Sequence, residues 1–179
     1  MKKLFIAAFA LVAFASASPT YAQNKMVGGA EMYPTKGIID NAVNSKDHTT
    51  LVAAVKAAGL VETLKGKGPF TVFAPTDSAF AALPEGTVTN LMSADNKPLL
   101  TSILTYHVVA GKMSAKALWA KAKSSKPTVK TVNGGSLTVK ADGEKLYLVD
   151  AKGGKSWVTI ADVNQSNGVI HVVNAVLMP

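Results

Sequence analysis

The spacing of apolar residues changes period along this chain, and that change limits the folds it can adopt. In the first two thirds the apolar positions recur at helical intervals: Leu51 and Val55 share a face, with Ala54 and Ala58 beside them. In the last third short apolar runs are punctuated by Asn133-Gly134, Asp142-Gly143, Gly153-Gly154 and Asn167-Gly168, each a strong turn signal. Helices gathered before strands argue for an α+β domain and against a parallel, doubly wound sheet.

The pattern predicts helices over Ile38 to Val43, Leu51 to Ala58, Ser78 to Ala82, Thr87 to Met92, Leu99 to Thr105 and Ala115 to Lys123. Asp47-His48-Thr49 supplies cap-type residues before the second of these, and Gly59 suits a left-handed end. Thr76 or Asp77 can cap the third, and Ser114 the last. Strands are predicted over Phe70 to Ala74, Tyr106 to Val109, Val129 to Val132, Ser136 to Lys140, Leu146 to Val149, Val158 to Val163 and Val169 to Asn174. In Phe70 to Ala74 both faces are apolar-rich, as a central strand requires.

The N-terminus reads as a bacterial-type secretory leader. Lys2 and Lys3 precede an apolar run from Leu4 to Ala15, and small residues follow. The run is short for a membrane span, and no second apolar stretch reaches spanning length. Cleavage is expected after Ala22, with Ala15-Ser16-Ala17 as a second candidate site and an uncleaved anchor as the other reading. The expected organisation is a signal peptide over 1–22, a polar, glycine-bearing arm over 23–36 and one domain over 37–179. The mature chain is then expected to be exported, periplasmic or secreted, without a transmembrane segment. The absence of cysteine excludes disulfides, thiol nucleophiles and a lipid-modified cysteine.

Charge is distributed unevenly. All 19 basic residues are lysine. Ten lysines and three acids lie between Lys112 and Lys155, a net of +7, whereas the rest of the mature chain holds seven lysines and eight acids, a net of −1. The asymmetry suggests an anionic partner, with a lysine-rich solvated face as the alternative. Nucleic acid fits poorly, because export removes it and the guanidinium groups that dominate its readout are missing. Acidic polysaccharide or anionic headgroups fit better. Lys116 and Lys123 share a helix face, and Lys121 and Lys130 join them as candidate contacts.

Catalytic patterns are absent: there is no nucleophile elbow, zinc-protease helix or dinucleotide fingerprint. Gly154-Lys155-Ser156 imitates the end of a phosphate loop, but the first glycine of that motif would fall at Val149. His48, His107 and His171 have no short metal-type spacing, and no metal or other cofactor is expected. His48 reads as a helix-start residue. His107 and His171 read as core histidines in apolar strands. Trp119 and Trp157 are either sugar platforms or packing residues.

Three segments resemble the signatures of the fasciclin domain family, in that family's order. They are Phe70-Thr71-Val72-Phe73-Ala74-Pro75-Thr76-Asp77-Ser78-Ala79-Phe80, Tyr106-His107-Val108-Val109, and the run from Asn167 to Pro179. The resemblance covers roughly Gly37 to Pro179 and implies a wedge of two β-sheets with helices packed along one side. It also implies a secreted or surface-attached module associated with adhesion, without a common catalytic site. It makes Tyr106 and His107 candidate contact residues, and Thr76, Asp77, His171 and Asn174 structural motif positions.

The resulting expectation is not an enzyme but an exported adhesion or interaction module, meeting a cell-envelope or matrix component such as an acidic polysaccharide. The alternative is a periplasmic or secreted small-molecule or lipid binder with an apolar groove beside the helices. Export has a direct test. The intact mass of the exported protein is expected to match a chain beginning at Gln23, and a mass retaining residues 1–22 counts against a soluble product.

Overall fold

The computed structural model describes residues 24–179; the expected leader and Gln23 lie outside the described residues. In chain order the elements are β1 (Lys25–Val27), β2 (Ala30–Met32), α1 (Ile38–Ala42), α2 (Thr49–Ala58), α3 (Val61–Lys65), β3 (Phe70–Pro75), α4 (Asp77–Ala81) and α5 (Thr87–Leu91). A 3-10 turn at Ala94–Asn96 leads into α6 (Lys97–Tyr106), followed by β4 (Val108–Ala110), α7 (Ala115–Ala122) and β5 (Thr128–Lys130). The chain ends in β6 (Ser136–Asp142), β7 (Lys145–Val149), β8 (Lys155–Gln165) and β9 (Gly168–Val173).

Seven strands join in the order β4-β3-β9-β8-β7-β6-β5. The central pair, β3 and β9, runs parallel, with Phe70 beside Gly168 and Pro75 beside Val173. The other pairs are antiparallel. β8 is shared between two halves of the sheet: Lys155 to Trp157 pair with β7, and Val158 to Gln165 pair with β9. A bridge between Val109 and Thr131 brings β4 back towards β5, so the two halves make a wedge that nearly closes.

Alternation along β3 and β9 builds a core on each face. Val72, Ala74, Ile170 and Val172 face α1 to α6, meeting Ile38, Leu51, Val55, Leu64, Phe80, Leu100 and Leu104. Phe73 and Val173 face into the wedge, where they join Tyr106, Leu118, Leu137, Val139, Leu148 and Leu177. The α+β wedge expected from the resemblance is therefore present. α7 stands apart from the other helices, burying Leu118 in the wedge-side core.

The stretch expected to be a free arm is part of this packing. β1 and β2 form a hairpin whose Val27 and Met32 are buried in the helix-side core. Both turn residues, Gly28 and Gly29, have positive φ (55° and 74°), as the favoured two-residue hairpin turn demands. Three-residue strands are too short to display a period, so the Gly-Gly pair, read as a mark of a linker, was the one available hairpin signal.

Among the helix starts, Thr76 and Ser114 cap as expected and Asp77 does not. Thr76 caps α4 through Oγ1, which accepts from the Ala79 N–H at 3.3 Å. Asp77 instead caps α2, far away in sequence. Its carboxylate accepts from the Thr50 N–H at 2.8 Å, the Thr49 hydroxyl at 2.6 Å and the Thr49 N–H at 3.3 Å. The residue at the N-cap of α2, His48, makes no side-chain cap bond, so the helix borrows its acceptor from α4. Burial opposes the charge on Asp77, but the hydrogen bonds from Thr49 and Thr50 outweigh it and hold the carboxyl below its ordinary range.

Asp77→Ala is expected to cost about 0.5–2 kcal/mol in a urea melt near neutral pH, the usual worth of an N-cap. Because the folded state lowers this pKa, the cap stabilises at pH above the ordinary carboxylate range and is lost as pH falls through the folded value. The difference from wild type should therefore shrink in acid; a pH-independent difference would point to lost packing instead.

Candidate functional site

Tyr106 and His107 do not lie in a strand. Leu100, Ile103, Leu104 and His107 continue one helical face, so α6 runs through Tyr106, His107 is its C-cap, and β4 begins only at the β-branched pair Val108-Val109. Both side chains are buried, at 1% and 2% exposure, so neither reaches the surface. The Tyr106 hydroxyl donates to the Ser136 carbonyl at 2.9 Å and accepts from the Ala151 N–H at 3.1 Å. Its ring lies against the backbone at Gly135, where a Cβ would come within 2.7 Å of it. His107 Nδ1 meets the Ile103 carbonyl at 2.8 Å, and Nε2 accepts from the Leu177 N–H at 3.0 Å. That pair of partners requires the neutral, Nδ1-protonated ring.

His171 and Asn174 are also polar pins. His171 Nε2 donates to the Met113 carbonyl at 2.8 Å, and Nδ1 accepts from the Asp162 N–H at 3.3 Å. Asp162 has a positive φ of 55° within the irregular part of β8, and its carboxylate accepts from the Ala115 N–H at the start of α7. Asn174 takes the Trp157 backbone from both sides, accepting its N–H at 2.8 Å and donating its own N–H to the Trp157 carbonyl at 3.1 Å. His48 stands at the start of α2 as expected and is also buried, with Nδ1 2.8 Å from the Ser45 hydroxyl. It borders an apolar cavity of about 60 Å³ between the helices and the sheet. That volume is well below the roughly 150 Å³ of an apolar cavity that admits benzene. Among the described residues no group of three His, Asp or Glu side chains is placed to hold a metal ion.

The candidate lysines separate onto two faces. Lys116, Lys121 and Lys123 belong to α7 and its C-cap, which pack over the wedge-side core. Lys130 lies on the other side of the sheet. Its neighbour Val129 points into that core with Leu137, Val139, Leu146 and Leu148, so alternation turns Lys130 outward. The outward face of β5 to β8 carries Lys130, Lys140, Lys145 and Lys155 together with Tyr147 and Trp157. Lys140, Tyr147 and Trp157 form one row across three strands. The two aromatic centroids are 4.7 Å apart, and Lys155 Nζ sits 5.7 Å from the Tyr147 centroid. Tyr147 was not singled out from the sequence, and Lys140 and Lys155 were not among the candidate contacts; the alternation of β7 with its neighbours was the available signal, but strand register decides which residues align.

His107→Phe is expected to lower stability by about 1–3 kcal/mol at neutral pH by stranding buried partners. Burial is the main reason its pKa falls from the ordinary 6.5 to about 4, against opposing effects from Ile103 and Asp150. With the folded pKa depressed, the neutral ring's contribution is complete above 6.5 and declines as pH falls towards 4. The variant's urea-melt stability should lack that part of the wild-type acid slope; an unchanged slope would assign it to other groups.

Comparisons with known proteins agree with this architecture. The fasciclin domain family model matches residues 46–179. A Synechocystis sp. protein, sll1483, is 44% identical over 182 residues, covering 97% of this chain and 95% of that protein. The cell surface glycolipoprotein MPB83 of Mycobacterium bovis is 34% identical over 143 residues, covering 77% of this chain and 58% of its own length. Among solved structures, a FAS1 domain pair from the insect cell adhesion molecule fasciclin I superposes with a TM-score of 0.73 at 20% identity, covering 80% of this chain and 51% of that chain. With its three signatures occupying the central strands, the buried tyrosine–histidine pair and the C-terminal pins, this chain belongs to the fasciclin domain family.

Proposed function

We propose that this protein is an exported adhesion-type module that binds an acidic polysaccharide of the cell envelope or matrix through its lysine-rich C-terminal half. The observation that carries the proposal is the concentration of positive charge: +7 between Lys112 and Lys155 against −1 in the rest of the mature chain. The leader-like N-terminus supports export, and among the described residues no helix is long and apolar enough to cross a membrane. Family membership adds support, since relatives carry the names of a cell surface glycolipoprotein and a cell adhesion molecule. Catalysis is not part of the proposal, because the matching family is not an enzyme family.

Ammonium groups on flexible stems make loose contacts, so affinity should be modest and should weaken with salt. Because Lys116, Lys121 and Lys123 lie on a different face from Lys130, these four act together through the field they create rather than as one contact patch. The test compares retention on immobilised polygalacturonate for wild type and for a variant with glutamine at the four positions, both confirmed folded. Wild type should be retained at low salt and released as salt rises, with weaker retention of the variant. Equal retention of the two, or none of wild type at low salt, would reduce the lysines to a solubility feature.

A further inference from the structure

The outward face of β6 to β8 differs from an ordinary solvated sheet face. Tyr147 and Trp157 stand side by side, half-buried, in a non-core position. Lys140 is directly opposite Tyr147 in register, and Lys155 holds its ammonium over the Tyr147 ring from the next row. Beyond Trp157 the sheet splits, because β7 and β8 stop pairing after Tyr147 and Trp157 while β8 turns to pair with β9. An open cleft of about 650 Å³ lies at this split, between Trp157 and Thr159 of β8, Lys145 and Leu146 of β7, and Ala115 and Trp119 of α7, so it opens towards α7 rather than onto the Lys140 and Lys155 face. The backbone of Trp157 is clamped by Asn174, which fixes the point from which the indole projects.

We infer that this aromatic row is a saccharide subsite, with Trp157 and Tyr147 stacking on the pyranose rings of a uronic-acid oligosaccharide and Lys140 and Lys155 pairing with its carboxylates. The inference rests on the acidic-polysaccharide reading above and assigns it a place. A pyranose ring has an apolar C–H face and a rim of hydroxyl groups. It needs a flat apolar surface bordered by polar groups, which the aromatic pair and the lysines beside it provide. A uronic acid adds a carboxylate at the ring edge, which suits ammonium groups flanking the aromatic surface. Asp142 and Glu144 sit at the hairpin end of β6 and β7, so the anionic groups are best accommodated at the Lys140 and Lys155 side of the row. Stacking also distinguishes this site from a diffuse field, since removing an aromatic ring leaves the net charge unchanged.

The probe is hexagalacturonate, with cellohexaose as the neutral control, titrated at low salt by calorimetry and by NMR. Trp157→Ala and Tyr147→Ala are each expected to weaken hexagalacturonate binding by about tenfold or more, the scale of an interface anchor. Lys140→Gln with Lys155→Gln should have a similar effect. The charge-matched comparison, Lys116→Gln with Lys123→Gln on α7, should cost less than that pair. Should an aromatic variant fail to fold in a urea melt, the wild-type protein still answers: the Trp157 indole N–H resonance should move on titration. Wild-type affinity that disappears with salt but is unaltered in folded Trp157→Ala would overturn this inference and leave the charge reading standing, as would a Trp157 resonance that stays still. No wild-type binding to hexagalacturonate would remove both, and equal binding of cellohexaose would remove the role given to the carboxylates.

Discussion

The parallel pairing of β3 with β9 governs the rest of the molecule. Two strands from opposite ends of the domain run side by side, from Phe70 beside Gly168 to Pro75 beside Val173, and both are apolar on both faces. Parallel pairs of this kind must be covered on each side. Their backbones also come very close where they begin. A Cβ on Gly168 would fall 2.1 Å from the Phe70 carbonyl oxygen, so only glycine fits. One face is covered by α1 to α6 and the other by the remainder of the wedge with α7, which is why the domain has two cores.

Polar side chains inside the wedge-side core determine how its parts join. Tyr106 links α6 to the start of β6 and to the turn after β7 through its hydroxyl. His107 ties α6 to the C-terminal segment at Leu177, and His171 ties β9 to Met113 just before α7. Each histidine uses one ring nitrogen as a donor and the other as an acceptor, which only the neutral ring can do. Burial favours that neutral form by lowering both pKa values. The tyrosine–histidine motif thus secures the joint between the domain's halves, and the surface available to a partner lies elsewhere.

That surface is a by-product of the same construction. Since Leu146 and Leu148 must face α7, Tyr147 must face outward; since Val158 turns inward to follow β9, Trp157 remains beside Tyr147. The split in the sheet that lets β8 serve both halves also opens the cleft next to Trp157. Asn174, the residue that ends the last strand, clamps Trp157, so the C-terminal signature that builds the core also steadies the outer face.

Much of this was legible in the residues. The change of period, the turn dipeptides and the three signatures determined the class of fold, the elements near most of their observed places and the family. They succeeded because burial on one or both faces imposes a local pattern that survives in the sequence. Other features depended on partners distant along the chain. Asp77 looked like the cap of its own helix and serves another; Tyr106 looked like a strand residue because Val108 and Val109 follow it. The glycine-rich arm folds back because Val27 and Met32 find a core that its own sequence does not contain. The lysines formed one cluster in sequence, but alternation about β5 and β6 puts Lys130 on the opposite side from α7 and brings Lys140 and Lys155 to the Tyr147–Trp157 pair. Local spacing alone determined most of the buried faces and the kind of most elements. Only the tertiary structure decided which polar groups meet and which charges share a face, because those depend on strand register and on caps supplied from other parts of the chain.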